Sequence, residues 1–304
     1  MPILATVAAF QFLLIAGSAS PSLPADSLRT RIEERISRVN GAVVGVVFRD
    51  LASGASLDIN ADTSFHAAST MKVPVMIELF RRVDAGSLRL DQGILLVNQF
   101  SSIVDGSPYS LDPGEDSDSA MYKQIGQRVP VRDLIEHMIT RSSNLATNAL
   151  IELAGAATAN ATAHQLGAEH IRVLRGVEDN KAFRAGLNNT TTARDLAALL
   201  DAIERGRAAS RASCDAMREI LSHQEFNEEI PAGLPPGTKV AHKTGWITGV
   251  LHDAAVVYPQ GRSPYVLVVL TKGIPDDKVA RQLIADISRL VYQATVSTRA
   301  SQSR

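Results

Sequence analysis

The chain is 304 residues long, enough for one large domain or two modest ones, with 45% hydrophobic and 21% charged residues and a formal net charge of −1. That is a globular composition, and its near-neutral balance offers no electrostatic footprint for nucleic acid or an anionic membrane surface. The single cysteine, Cys214, excludes an internal disulfide, so the fold must hold through its core alone.

The first segment is unlike the rest. Residues Ile3 to Ala16 are almost wholly apolar, no charged side chain precedes Asp26, and the small residues Gly17, Ser18, Ala19 and Ser20 follow. This pattern predicts a signal peptide over residues 1–19, cut after Ala19. The apolar run is shorter than the ~20 residues that a spanning helix needs, so no membrane span is expected after cleavage. The mature protein is then secreted or periplasmic. No cysteine lies near the cut, which argues against a lipid anchor.

Leu28, Ile32, Ile36 and Val39 fall at helical spacing, and Gly41 ends that helix. The valine-rich run Ala42 to Phe48 and a second strand ending near Ile59 form a hairpin around Ser53-Gly54. Helical periodicity then covers Val73–Val83, Val131–Thr140, Leu145–Ala154, Thr192–Arg205 and Ser213–Leu221. Pro74 predicts an irregular first turn in the first of these. Cys214 reads as a packed thiol in the last. Between Ser101 and Met121 five acidic residues occur without a Lys or Arg, which reads as a solvated loop; Asp112, Glu115, Asp116 and Asp118 do not follow a calcium-loop pattern. Strand signals return at Thr238–Thr244, Ala254–Tyr258 and Tyr265–Thr271, before a helix over Asp276–Tyr292 and a frayed tail from Ser297. Strands at both ends with helices between predict an α/β protein. Its antiparallel sheet, built from the two termini and flanked by helices, is interrupted by an inserted all-helical lobe, with a ligand cleft between the two.

Ser69-Thr70-Met71-Lys72 sets a serine three residues before a lysine at a helix start, on one face and near free backbone N–H groups. A lysine desolvated enough to lose its proton can then activate the serine. Alone the spacing is weak, since roughly 0.6 such matches are expected by chance. Ser142-Ser143-Asn144 lies between two helices, where serine and asparagine also serve as ordinary N-caps. Lys243-Thr244-Gly245, followed by Trp246 at the end of a strand, is the informative element, because a chance match is expected only roughly 0.03 times. Lysine and threonine there can hold a carboxylate, and glycine permits close backbone approach. The seven histidines form no i, i+4 pair, so neither a metal nor another cofactor is expected.

The ordered series S-x-x-K, S-x-N, K-T-G resembles class A β-lactamases and penicillin-binding proteins. The resemblance extends over nearly all of the mature chain, residues 26–296, and implies an α/β lobe of about residues 26–64 and 223–296 around a helical lobe of about 65–222. It implies that Ser69 is acylated by a β-lactam, that Lys72 assists its deprotonation and that Ser142 relays a proton to the leaving nitrogen. Asn144 would contact the substrate's amide side chain, while Lys243 and Thr244 bind its carboxylate. Beside Gly245, the backbone N–H groups of Ser69 and Trp246 would form an oxyanion hole. The substrate is accordingly a β-lactam or a peptidoglycan-like peptide, and the enzyme a monomer contributing to β-lactam breakdown and antibiotic resistance.

Three departures stand out. Ser143 replaces the family's central aspartate. The deacylating glutamate is offset, with Glu178 the favoured candidate in Arg175-Gly176-Val177-Glu178-Asp179-Asn180 and Asp179 its rival. An arginine that many members carry is missing from Leu251-His252-Asp253. If no carboxylate hydrolyses the ester, the resemblance implies a penicillin-binding D-Ala peptidase or esterase instead; a non-catalytic penicillin or peptidoglycan sensor is the remaining alternative. The leader itself makes a direct prediction. Terminal sequencing of protein from its native host is expected to start near Ser20, and an intact Met1 on cytosolic protein would contradict export.

Overall fold

Each end of the chain contributes strands to one sheet. The structure is a computed structural model that describes residues 25–300, so the leader expected over residues 1–19 lies outside the described residues. Helix α1 (Ala25–Ser37) leads to β1 (Val43–Asp50) and β2 (Ser56–Ile59). The helices of the middle are α2 (Lys72–Asp84), α3 (Val131–Thr140), α4 (Asn144–Ala154), α5 (Ala156–Gln165), α6 (Asn180–Arg184), α7 (Ala193–Glu204) and α8 (Arg211–Ser222). Strands β3 (Lys239–Ile247), β4 (Val250–Tyr258) and β5 (Tyr265–Lys272) precede the last helix, α9 (Asp277–Ala300). The sheet order is β2-β1-β5-β4-β3, antiparallel throughout. Its centre joins the two termini, with Val43 opposite Lys272 and Asp50 opposite Tyr265.

Alternation along the strands explains why their sequences read as unbroken apolar runs. Val44, Val46 and Phe48 of β1, with Tyr265, Leu267 and Val269 of β5, face a layer formed by α1 and α9, where they meet Leu28, Ile32, Leu283 and Ile287. The intervening residues Val47, Val266, Val268 and Leu270 face a second cluster that continues through Met71, Leu79, Leu134, Leu145 and Leu196 into the helical region. Both faces are covered, so neither shows polar alternation. Helix α7 packs on β1, β4 and β5 and ties the helical insertion to the sheet.

Several boundaries differ from the expectations, each for a local reason. Pro74 occupies the third position of α2, where a missing N–H breaks no intrahelical bond. The irregular geometry lies just before it, in a 3-10 turn over Ala68–Met71. Helix α5 was not predicted because Ala156–Gln165, rich in alanine and threonine, has almost no apolar periodicity. Strand β4 starts at Val250 rather than Ala254 because His252 and Asp253 are polar yet fully buried. Helix α9 continues to Ala300, beyond the expected end at Tyr292. Cys214 is buried in α8, with its thiol 3.6 Å from the Ala209 carbonyl. No helix among the described residues is long and apolar enough to cross a membrane.

One close approach fixes α9. Gly233, in the turn Pro231–Gly233, packs so tightly that a Cβ would clash with the Ala285 carbonyl and sit 2.8 Å from Ser288 Cβ. Ser288 itself donates to the Ile230 carbonyl at 2.8 Å. Gly233→Ala is therefore expected to destabilise the protein by about 1–3 kcal/mol, the usual range for overpacking, as measured by urea unfolding.

Candidate active site

The 3-10 turn before α2 carries Ser69, half-buried, and directs Lys72 into the interior with no exposure. Ala68, immediately before the serine, has φ +46°, a left-handed conformation unusual for a residue with a Cβ. Its N–H donates to His66 Nδ1 at 3.0 Å. Against this turn lies β3, the edge strand of the sheet. A Cβ on Gly245 would stand 2.9 Å from the Ser69 nitrogen and 3.0 Å from that of Thr70. Only glycine lets the strand come this near.

Three sequence elements meet at one hydroxyl. Lys72 Nζ donates to the Ser142 carbonyl at 2.6 Å, to Ser142 Oγ at 3.1 Å and to Asn144 Oδ1 at 3.0 Å. Lys243 Nζ reaches the same Ser142 Oγ at 3.1 Å and its neighbouring Thr244 carbonyl at 3.0 Å. Burial brings Lys72 down to about 7, against the charges of Asp116 and Glu178. Burial, and then the charge of Lys72, hold Lys243 well below an ordinary lysine. Thr244 Oγ1 is buried beside it with no hydrogen-bond partner. Trp246 is 38% exposed and packs edge-on to Phe226, ring centres 5.4 Å apart.

The serine–serine–asparagine element is both a cap and part of the site. Ser142 is left-handed, φ +58°, and Ser143 Oγ accepts from the Ala146 N–H at 3.3 Å as N-cap of α4. The acidic segment Ser101–Met121 is not the uniformly solvated loop its composition predicts. Asp116 and Asp118 are 6% and 4% exposed, because the segment folds back over the start of α4.

The loop after Arg175 is held from two sides. The Arg175 guanidinium donates to the Leu187 and Gly176 carbonyls and to Asn188 Oδ1, which closes the loop at its neck. Asn148, one turn beyond Asn144 on α4, pairs with both backbone groups of Val177, accepting at 2.7 Å and donating at 3.0 Å. Glu178 follows with φ +59°, and its Oε1 accepts from Asn144 Nδ2 at 2.6 Å. Burial pushes the Glu178 carboxyl up, and the Asp116 charge adds to this against the Asn144 hydrogen bond. Asp179 turns the other way. It caps α6 through the Ala182 N–H and clamps Ser102 Oγ and the Ile103 N–H at 2.9 and 3.0 Å. Although burial opposes ionisation there, these donors hold Asp179 below the usual carboxylate range.

The Leu251-His252-Asp253 stretch supplies no surrogate for the missing arginine. His252 is fully buried, its Nε2 is 2.8 Å from the His66 carbonyl, and burial lowers it to about 4. Asp253 instead pairs with buried His242 at 2.9 Å, next to Lys243 in β3. The sequence expectations gave no site role to this pair, nor to Asp116 and Asn148. Of the three, only Asn148 carried a readable signal, its i, i+4 spacing from Asn144 on one helix face. Among the described residues no group of three or more His, Cys, Asp or Glu could hold a metal ion.

Residues 27–295 match the β-lactamase enzyme family. A β-lactamase of Streptomyces fradiae is 27% identical over 300 residues, which cover 96% of this chain and 95% of that protein. A mutant of PBP-A in its acyl-enzyme complex with penicillin G is 32% identical, covers 90% of this chain and 97% of its own, and superposes with a TM-score of 0.75. An ancestral class A β-lactamase is 31% identical, with coverage of 88% and 99% and a TM-score of 0.76.

The lysine geometry is testable without any ligand. An NMR titration of isotope-labelled Lys72 is expected to give a midpoint near 7, against about 10.4 for a solvated lysine. A midpoint in the ordinary lysine range would contradict the burial described above.

Proposed function

The chain belongs to the β-lactamase enzyme family and has the fold of class A β-lactamases and penicillin-binding proteins, and we propose that it is a serine β-lactamase working through an acyl-enzyme on Ser69. Neutral Lys72, available in quantity at neutral pH with its midpoint near 7, accepts the Ser69 proton as the oxygen attacks the β-lactam carbonyl. The N–H groups of Ser69 and Trp246 receive the negative charge that develops on that oxygen. As the C–N bond breaks, Ser142 passes a proton to the nitrogen and is resupplied by Lys72, bonded to its hydroxyl, with the proton taken from Ser69. Glu178 then takes a proton from the water that attacks the ester and returns it to Ser69 Oγ as the bond from that oxygen to the acyl carbon breaks, which releases the opened product.

The arrangement of charge supports this order of events. A substrate carboxylate arriving at Lys243 and the unpartnered Thr244 hydroxyl would offset the desolvation that holds Lys243 well below an ordinary lysine. A substrate amide carbonyl would draw the Asn144 Nδ2 donor away from Glu178 and leave its carboxylate for the water. The observation that carries the proposal is the chain of bonds from Glu178 through Asn144 to Lys72, which brings a carboxylate of raised affinity for protons beside the acylation machinery. The apolar leader supports action outside the cytoplasm, where such an enzyme would contribute to β-lactam breakdown and resistance.

A coloured cephalosporin followed by intact-protein mass spectrometry tests the assignment. Ser69→Ala is expected to abolish both turnover and the adduct. Glu178→Gln should still acylate but hydrolyse the ester ~10²–10⁴-fold more slowly, so that one ligand mass accumulates within seconds. Asp179→Asn should lower stability and leave no trapped adduct. Wild-type turnover by Glu178→Gln would refute its role, and a persistent adduct on the wild-type protein would make this a penicillin-binding peptidase.

A further inference from the structure

Ser143 is neutral where the family has an aspartate, yet the start of α4 is not without a carboxylate. Asp116 Oδ2 accepts from the Asn144 N–H at 2.9 Å, the Leu145 N–H at 3.0 Å and the Tyr122 hydroxyl at 3.0 Å, while Oδ1 accepts from the Asp118 N–H at 3.0 Å. With the Ser143 hydroxyl serving Ala146, the first three free N–H groups of α4 are all satisfied, two of them by a loop 28 residues upstream. Asp118 is committed elsewhere, bonded to His137 and 3.8 Å from Arg141.

We propose that Asp116 is a positioning residue of the acylation site: through the start of α4 it fixes Asn144, and it supplies the anionic charge that the centre of the S-x-N element lacks. The proposal rests on the reading of Ser69 as nucleophile only for its kinetic consequence. Among the described residues Asn144 is the one bonded to both Lys72 and Glu178, so a carboxylate that holds its backbone holds the bridge between them. The charge acts on the same two groups. Lys72 faces the carboxylates of Asp116 and Glu178, both of which favour its protonated form, and lies beside Lys243, which is itself held well below an ordinary lysine. Glu178 faces Asp116 and Lys72, and Asp116 disfavours its ionisation. Around Asp116 itself stand Tyr122, Asp112 and Asp118, the last joined to His137 and Arg141.

Asp116→Asn keeps the shape and removes the charge. The sign follows directly: without the anion protonated Lys72 is less favoured, so neutral lysine persists to lower pH. The Lys72 NMR midpoint and the acidic limb of penicillin acylation, followed by mass spectrometry across a pH series, should both move down by about half to one pH unit. The second variant, Ser143→Asp combined with Asp116→Asn, returns a carboxylate to the helix start and should restore both positions. Glu115→Gln, an exposed neighbour, should change neither. A slower Asp116→Asn protein with an unmoved midpoint would overturn the proposal, as would a folded double variant whose midpoint stays low. If Asp116→Asn alone does not fold, the double variant decides. Absence of acylation in the wild type would remove the Ser69 reading, while the Lys72 midpoint would still judge Asp116.

Discussion

Two lysines without solvent exposure share one serine hydroxyl, and much of the architecture answers to that constraint. An ammonium group taken from water costs several kcal/mol unless acceptors and opposite charges replace its hydration. Lys72 has three acceptors and the carboxylates of Asp116 and Glu178; Lys243 has two acceptors, the carboxylates of Asp253 and Glu229, and the repulsion of Lys72. The difference sets the two apart in their affinity for protons. Lys72 stays near 7, while burial and then the charge of Lys72 hold Lys243 well below an ordinary lysine. The separation requires three remote segments, the starts of α2 and α4 and the edge strand β3, to converge within hydrogen-bond reach. Gly245 makes one side of that convergence possible, and the apolar layers on both sheet faces hold β3 where it is needed.

Adjacent carboxylates in the loop after Arg175 show how backbone geometry assigns roles. Glu178 and Asp179 are consecutive, yet one meets Asn144 and the other meets Ser102 and Ile103. The left-handed conformation at Glu178 turns the chain between them. Asn148 pins the preceding Val177 from below, so the turn is imposed by the helix rather than by the loop's own preferences.

The sheet and most helices were readable because burial leaves periodic patterns: the valine runs of β1 and β5, the amphipathic repeats of α3 and α7. Helix α5 was not, since alanine and threonine form helix without an apolar stripe. The three motifs were readable because short spacings at helix starts and strand ends leave local signatures. Asp116 could not be read that way. Its position depends on how an acidic loop folds over a helix far along the chain, and in sequence it is one of five similar acids. The His242–Asp253 pair was hidden for a related reason, as polar residues inside a strand weaken the apolar pattern by which strands are recognised. The choice between Glu178 and Asp179 as a contact of the lysine cluster likewise depended on a single dihedral angle.

The left-handed residues have a consequence for how this protein can change. Of the four non-glycine residues with positive φ among those described, Ala68, Ser142 and Glu178 lie within the site, and only Asn60, whose residue type tolerates such geometry, lies outside it. Each of the three carries conformational tension of roughly 1–2 kcal/mol that the surrounding packing must sustain. The fold is thus least relaxed where its chemistry is concentrated. Mutational drift toward glycine at these positions would make the protein more robust and its cleft less ordered at the same time. Robustness and competence are set against each other at three specific peptide units.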